Sequence, residues 1–180
     1  MTSAERVQLD AFARVDGAML SLLWIGSFAC YILGLSNDGL GLAAIMLAVA
    51  SPFFVARRLR HFRDYAREGT ISFLRGWAYV VMVFFYAGVL FALAQYAYLA
   101  YLDHGYLASV ITRVAQTAEF NEIMKQYGTQ GTFQQMLVEF QHVRPIDFAL
   151  QGLSTNIMVG IMLGLPIAAL LRTKPGRAKQ

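Results

Sequence analysis

Four stretches of this chain are apolar on every helical face, and the polar positions between them fall into a turn, a basic segment and a longer mixed segment. In hydrocarbon a peptide group has no water to bond. An uncharged apolar run of about 17 to 25 residues therefore reads as a membrane-crossing helix, which satisfies its own backbone. The first run extends from Gly17 to Leu35 and turns at Ser36-Asn37-Asp38-Gly39. The second, Leu40 to Ala56, closes a helical hairpin and ends near Pro52. The third runs from Trp77 to Leu102. At 1.5 Å per residue it is about 39 Å long, more than the roughly 30 Å hydrocarbon core, so it must tilt or protrude. The fourth covers Gly152 to Leu171, and its start moves back to Pro145 if proline takes the first turn and Asp147 meets the positive helix end.

The connecting segments carry patterns of their own. After the second run, Leu59, Phe62 and Ala66 recur at spacings of three and four among arginines, which predicts a helix laying a narrow apolar stripe against the bilayer, stopped by Gly69. Residues 103–150 hold two amphipathic stretches separated by Gly128-Thr129-Gln130-Gly131. In the first, Leu107, Val110, Ile111, Val114, Ala118, Ile123, Met124 and Tyr127 form the apolar stripe. In the second, Thr132 and Gln135 fit a capping box ahead of Phe133, Met136, Leu137 and Phe140. Neither is long enough to span. The expected fold is all-α: one integral membrane domain over residues 1–180, a polytopic bundle of four transmembrane helices (17–35, 40–56, 77–102, 152–171) with a basic cytoplasmic loop at 57–76 and a short two-helix extracytoplasmic insertion at 103–150.

Composition supports this solvent. Apolar residues make up 57% and charged residues 14%, where a soluble domain carries about 25% charged. The lone Cys30 forms no internal disulfide and reads as a small packing residue. A net charge of +4 raises the question of nucleic acid, and the answer lies in where the charge sits. Of 15 Lys and Arg, twelve fall before the first run, between Arg57 and Arg75, or after Leu171. Because Lys and Arg collect on the cytoplasmic side, both termini and the basic loop are expected in the cytoplasm of a bacterial inner-membrane protein, and the insertion outside. That insertion carries three basic and five acidic residues, so no nucleic-acid partner is expected. Glu5, Asp10 and Asp16 precede a 19-residue first run, which reads as a span rather than a cleaved signal. Ser27-Phe28-Ala29-Cys30 lacks the leucine of a lipoprotein processing site.

Candidate chemistry is sparse. No ionisable residue lies inside the four runs as bounded here, and their polar side chains are Ser21, Ser27, Ser51, Gln95, Ser154, Thr155 and Asn156. Gln95 and Asn156 are the strongest candidates for a polar contact, and both are assigned to helix packing, since such bonds average about 0.6 kcal/mol. Gly160 and Gly164 have the small-xxx-small spacing of a close helix approach, with weaker versions at Ala44/Ala48 and Gly88/Ala92. Packing within the chain is the expected use, and a homodimer seam its rival. The aromatic residues of the third run, Trp77 to Tyr101, suit lipid-facing belts, and a quinone or other ring could use them, but no pocket is singled out. Arg57, Arg58, Arg60, Arg63 and Arg67 are assigned to anionic headgroups at the cytoplasmic face or to a partner. Glu139 and His142 share a helix face, and Asp103-His104 lies in the same compartment, but the second Glu-x-x-His pair of a bundle metal site is missing, so no metal and no cofactor are expected.

The basic stretch Arg57 to Arg67 with Gly69-Thr70-Ile71-Ser72-Phe73, the aromatic third run ending Tyr98-Leu99-Ala100-Tyr101-Leu102-Asp103, the helical insertion, and the final glycine-containing run before Arg172 and Lys174 together resemble the bacterial membrane family called domain of unknown function 4199. The resemblance covers nearly the whole chain and implies a four-helix inner-membrane protein. It implies no activity, ligand or catalytic residue. The function expected is a non-enzymatic scaffold or partner-binding subunit, with a membrane protein or a second copy of the chain as partner. Its rival is a small transporter or channel subunit lined by Gln95, Ser154, Thr155 and Asn156. A third reading, an enzyme acting on lipid, would use Asp103, His104, Glu139 and His142.

Overall fold

The computed structural model describes the chain apart from residues 1, 36–37, 130, 134, 137, 139–142 and 174–180. Four long apolar helices dominate: α1 (Ser3–Gly34), α2 (Asp38–Ala66), α3 (Phe73–Tyr101) and α6 (Pro145–Leu171). Two short helices, α4 (Tyr106–Ala115) and α5 (Ala118–Gln126), lie between α3 and α6. The described residues from Gly131 to Val138 are also helical. The chain is an all-α, multi-pass membrane protein. It divides into two compact units, residues 1–93 with 151–180, and residues 94–150.

In the first unit the helices overrun the apolar runs. Helix α1 begins fourteen residues before Gly17, because Thr2 accepts a bond from the Glu5 backbone while Glu5 reaches back to the Thr2 backbone, a complete capping box. Helix α2 passes through Pro52 and the arginine segment without a break. The separate helix expected against the bilayer is thus an extension of α2, and its stripe faces protein: Leu59 and Phe62 are 0% and 2% exposed. Phe62 stacks on Tyr79 with ring centroids 4.8 Å apart and packs against Phe12 at 5.3 Å. Physically, the stripe finds the equally apolar Leu9, Phe12 and Ala13 of the α1 extension, which the apolar runs alone do not place there. The helix then stops in a Schellman turn, with Glu68 at φ 51°, Gly69 at φ 79°, and the Gly69 N–H bonded to Arg63 O at 3.0 Å.

Next to that turn, Ile71 is buried and its backbone pairs with the segment after α6. Its N–H donates to Thr173 Oγ1 at 2.8 Å, and its carbonyl accepts from the Thr173 N–H at 3.0 Å. Arg63 adds a bond to Leu171 O at 3.2 Å. The Gly-Thr-Ile-Ser-Phe element thereby ties the last helix to the α2–α3 connection.

In the second unit the first amphipathic stretch is two helices, not one. Thr117 has extended backbone and caps α5, accepting from the Phe120 N–H, while the Asn121 side chain donates to Ala115 O and Thr117 O at 3.0 and 2.9 Å. The five-residue step from Ala118 to Ile123 had already broken the three-four rhythm. Thr132 lies inside a helical segment rather than at its cap, since the Phe133 N–H bonds Thr129 O. Phe120 and Phe133 pack with centroids 4.7 Å apart, so α5 and the following segment touch. Leu137 and Phe140 fall outside the described residues.

Candidate functional site

Asp16 is the most unusual side chain of the first unit: an acid on α1, 0% exposed, one residue before the apolar run. Arg58 of α2 donates to Oδ1 through Nε and a terminal nitrogen, and the Tyr79 hydroxyl of α3 donates to Oδ2. A buried carboxylate is tolerable because every oxygen is paired. The four runs hold no acidic or basic side chain, yet the bundle that they build encloses one. The boundary drawn at Gly17 is set by hydropathy, whereas burial is set by what α2 and α3 bring alongside.

Two further acids repeat the device. Glu5 accepts from Arg67 at 3.0 Å and Arg75 at 2.8 Å. Asp10 pairs with Arg14 one turn on, and the Tyr86 hydroxyl donates to it while accepting from Arg14 Nε at 3.3 Å. The three acids that looked like a poor signal peptide are struts joining α1 to α2 and α3.

This changes what the five arginines can reach. Arg58, Arg63 and Arg67 are half-buried and bonded within the chain, to Asp16, to Asp64 and Leu171 O, and to Glu5. Arg67 Nε is buried without a partner among the described residues. Arg57 and Arg60 are exposed. Gly160 and Gly164 are buried in the first unit against aromatic side chains of α3. A Cβ on Gly160 would lie 2.4 Å from Phe84 Cβ, and one on Gly164 would lie 2.9 Å from Trp77 Cδ1. Trp77 donates to Ile161 O at 3.1 Å.

Deeper in the same unit lies a cavity of about 430 Å³ between α1, α2, α3 and α6. Trp24, Phe28, Phe84 and Phe91 form an aromatic wall, with Trp24 edge-on to Phe84 and Phe91 at 5.5 and 5.7 Å, and Phe28 edge-on to Phe91 at 5.9 Å. Two of its polar groups are closed within the chain: Trp24 Nε1 donates to Ser51 Oγ, and Ser27 Oγ to Ala44 O, both at 2.8 Å. The partly buried Asn156 also lines it, and no hydrogen bond joins its carboxamide to the described residues. Of the four polar residues of the channel reading, Asn156 is the one lining this cavity. Thr155 is exposed and bonds Gln151 O, Ser154 is exposed, and Gln95 is buried with Oε1 unpartnered.

In the second unit, Asp103 is occupied as a cap. Its oxygens accept from the Gly105 and Leu107 N–H groups at 3.1 and 3.0 Å, while His104 Nδ1 sits 3.0 Å from Leu102 O. Glu139 and His142 lie outside the described residues, and no group of three metal-ligating side chains occurs among those described. Arg144 forks onto Asp147, whose carboxylate raises the Arg144 pKa above its ordinary value.

The family model described as "Protein of unknown function (DUF4199)" matches residues 16–173. No curated protein and no solved structure matches.

Proposed function

Since the chain belongs to the DUF4199 family of proteins of unknown function, its role has to be read from the molecule, and we propose that it is a non-enzymatic inner-membrane subunit that binds a membrane-protein partner through residues 94–150. The observation that carries this reading is apolar surface outside the long helices. Val114 and Ile123 are exposed on helices too short to cross a bilayer, and Tyr127 at 72%, Met136 and Val138 are exposed in the residues that follow. Large apolar side chains left exposed outside the membrane-crossing helices are the kind of surface that partners cover. The internal pairing of Asp16, Glu5 and Asp10 supports a structural rather than a transport role, since these charges hold helices together.

In this reading the arginine-rich end faces the cytoplasm, both termini lie there, and Arg57 and Arg60 meet anionic headgroups. A photo-crosslinking residue placed at Ile123 or Tyr127 in cells should give an adduct of one discrete higher mass, lost when Val114 and Met136 are changed to Ser with the cross-linker kept in place. Adducts to lipid alone, or none, would reject the partner.

A further inference from the structure

We propose that the cavity beside Trp24 binds a membrane-soluble carbonyl-bearing ring of the quinone class, with Asn156 as its hydrogen-bonding residue. The inference stands independently of a protein partner.

The size of the space narrows the occupant first. About 430 Å³ falls within the range of small-molecule pockets. A helix is a cylinder roughly 10 Å wide rising 5.4 Å per turn, so one turn alone fills roughly 420 Å³ and a crossing helix needs about five. A transmembrane partner therefore does not fit inside. Access comes from the lipid side, where Tyr31, Ile45, Ala48 and Val159 of the lining are exposed.

The chemistry narrows it further. Asn156 packs beside Gly88, with its Cβ 3.6 Å from where a Gly88 Cβ would be, and Gly88 is close to the midpoint of the 29-residue α3. A carboxamide at that depth has no water to bond, and an unsatisfied polar group in hydrocarbon costs several kcal/mol. An acyl chain offers no partner there, because phospholipid carbonyls lie at the interface. A ring carrying a carbonyl or hydroxyl on a hydrocarbon tail offers one at this depth, and the carboxamide can donate to either or accept from the hydroxyl. Trp24, Phe28, Phe84 and Phe91 supply the aromatic surface against which a flat ring packs.

The chain has two tryptophans, so Trp77→Phe leaves Trp24, in the cavity wall, as the sole fluorophore. Titrating a quinone with a ten-carbon tail into this variant in nanodiscs of zwitterionic lipid should quench Trp24 saturably. Asn156→Leu should weaken the apparent affinity roughly three- to tenfold, the worth of one hydrogen bond. Ala48→Phe fills the exposed rim without touching the core and should abolish saturation. The same tail on a plain benzene ring should compete only weakly. Linear quenching, saturation unaltered by both substitutions, or equal competition by the carbonyl-free ring would overturn the assignment. Circular dichroism and gel filtration of each variant separate lost binding from lost folding.

Discussion

Asp16 shows what a single side chain does here. Its carboxylate is enclosed, and both partners arrive from distant sequence, Arg58 lying 42 and Tyr79 lying 63 residues away. Asp16→Ala leaves Arg58 half-buried without its counter-charge and Tyr79 without an acceptor. Breaking a buried pair costs about 3–5 kcal/mol, and the partial exposure of Arg58 lowers the expected loss to about 2–3 kcal/mol, read from unfolding in mixed micelles. The triple change Asp16→Leu, Arg58→Leu, Tyr79→Phe should recover most of that loss, because it removes every unsatisfied partner together. At this scale the sequence was least legible. It placed Asp16 next to the membrane but could not say whether solvent or Arg58 would meet it, and it treated five arginines alike when three of them are bonded within the chain.

At the scale of elements, α3 and α6 show how shape complementarity replaces the hydrophobic effect where the surroundings are as apolar as the side chains. Phe84 and Trp77, seven residues apart on α3, lie over Gly160 and Gly164, four apart on α6. Gly160→Leu should therefore destabilise the bundle by about 1–3 kcal/mol, the usual penalty of overpacking. Adding Phe84→Ala should return part of it, and failure of that rescue in thermal-aggregation midpoints would show that the aromatic contact is not the cause. The glycine spacing was visible in the sequence, whereas the aromatic residues it receives were not. Hydropathy likewise found four long helices but underestimated α1 and α2, whose charged turns remain helical because acids and arginines on neighbouring helices neutralise one another. The break between α4 and α5 at Thr117 left only an indirect mark in the sequence, the five-residue step from Ala118 to Ile123 just after it.

For the whole molecule, the exposed arginines are where the proposed relation to the membrane is tested. Among the described residues, Arg57 and Arg60 are exposed and take no part in the internal pairs that occupy Arg58, Arg63 and Arg67. Arg57→Gln with Arg60→Gln should cut retention of anionic lipid, counted by native mass spectrometry, at about 1 kcal/mol per residue, while leaving the unfolding midpoint unchanged. A fall in stability instead would assign both side chains to the fold. Reporter fusions at either end should respond on the cytoplasmic side, since the basic clusters lie next to both.

The sequence by itself determined the solvent and the number of long helices, because a helix in lipid satisfies its backbone within one segment and needs no distant residue. The tertiary structure decided which face of each helix is used. A run that is apolar all round encodes no preferred rotation, so only packing reveals that Asp16 is enclosed, that Gly160 receives Phe84, and that Asn156 lines a cavity.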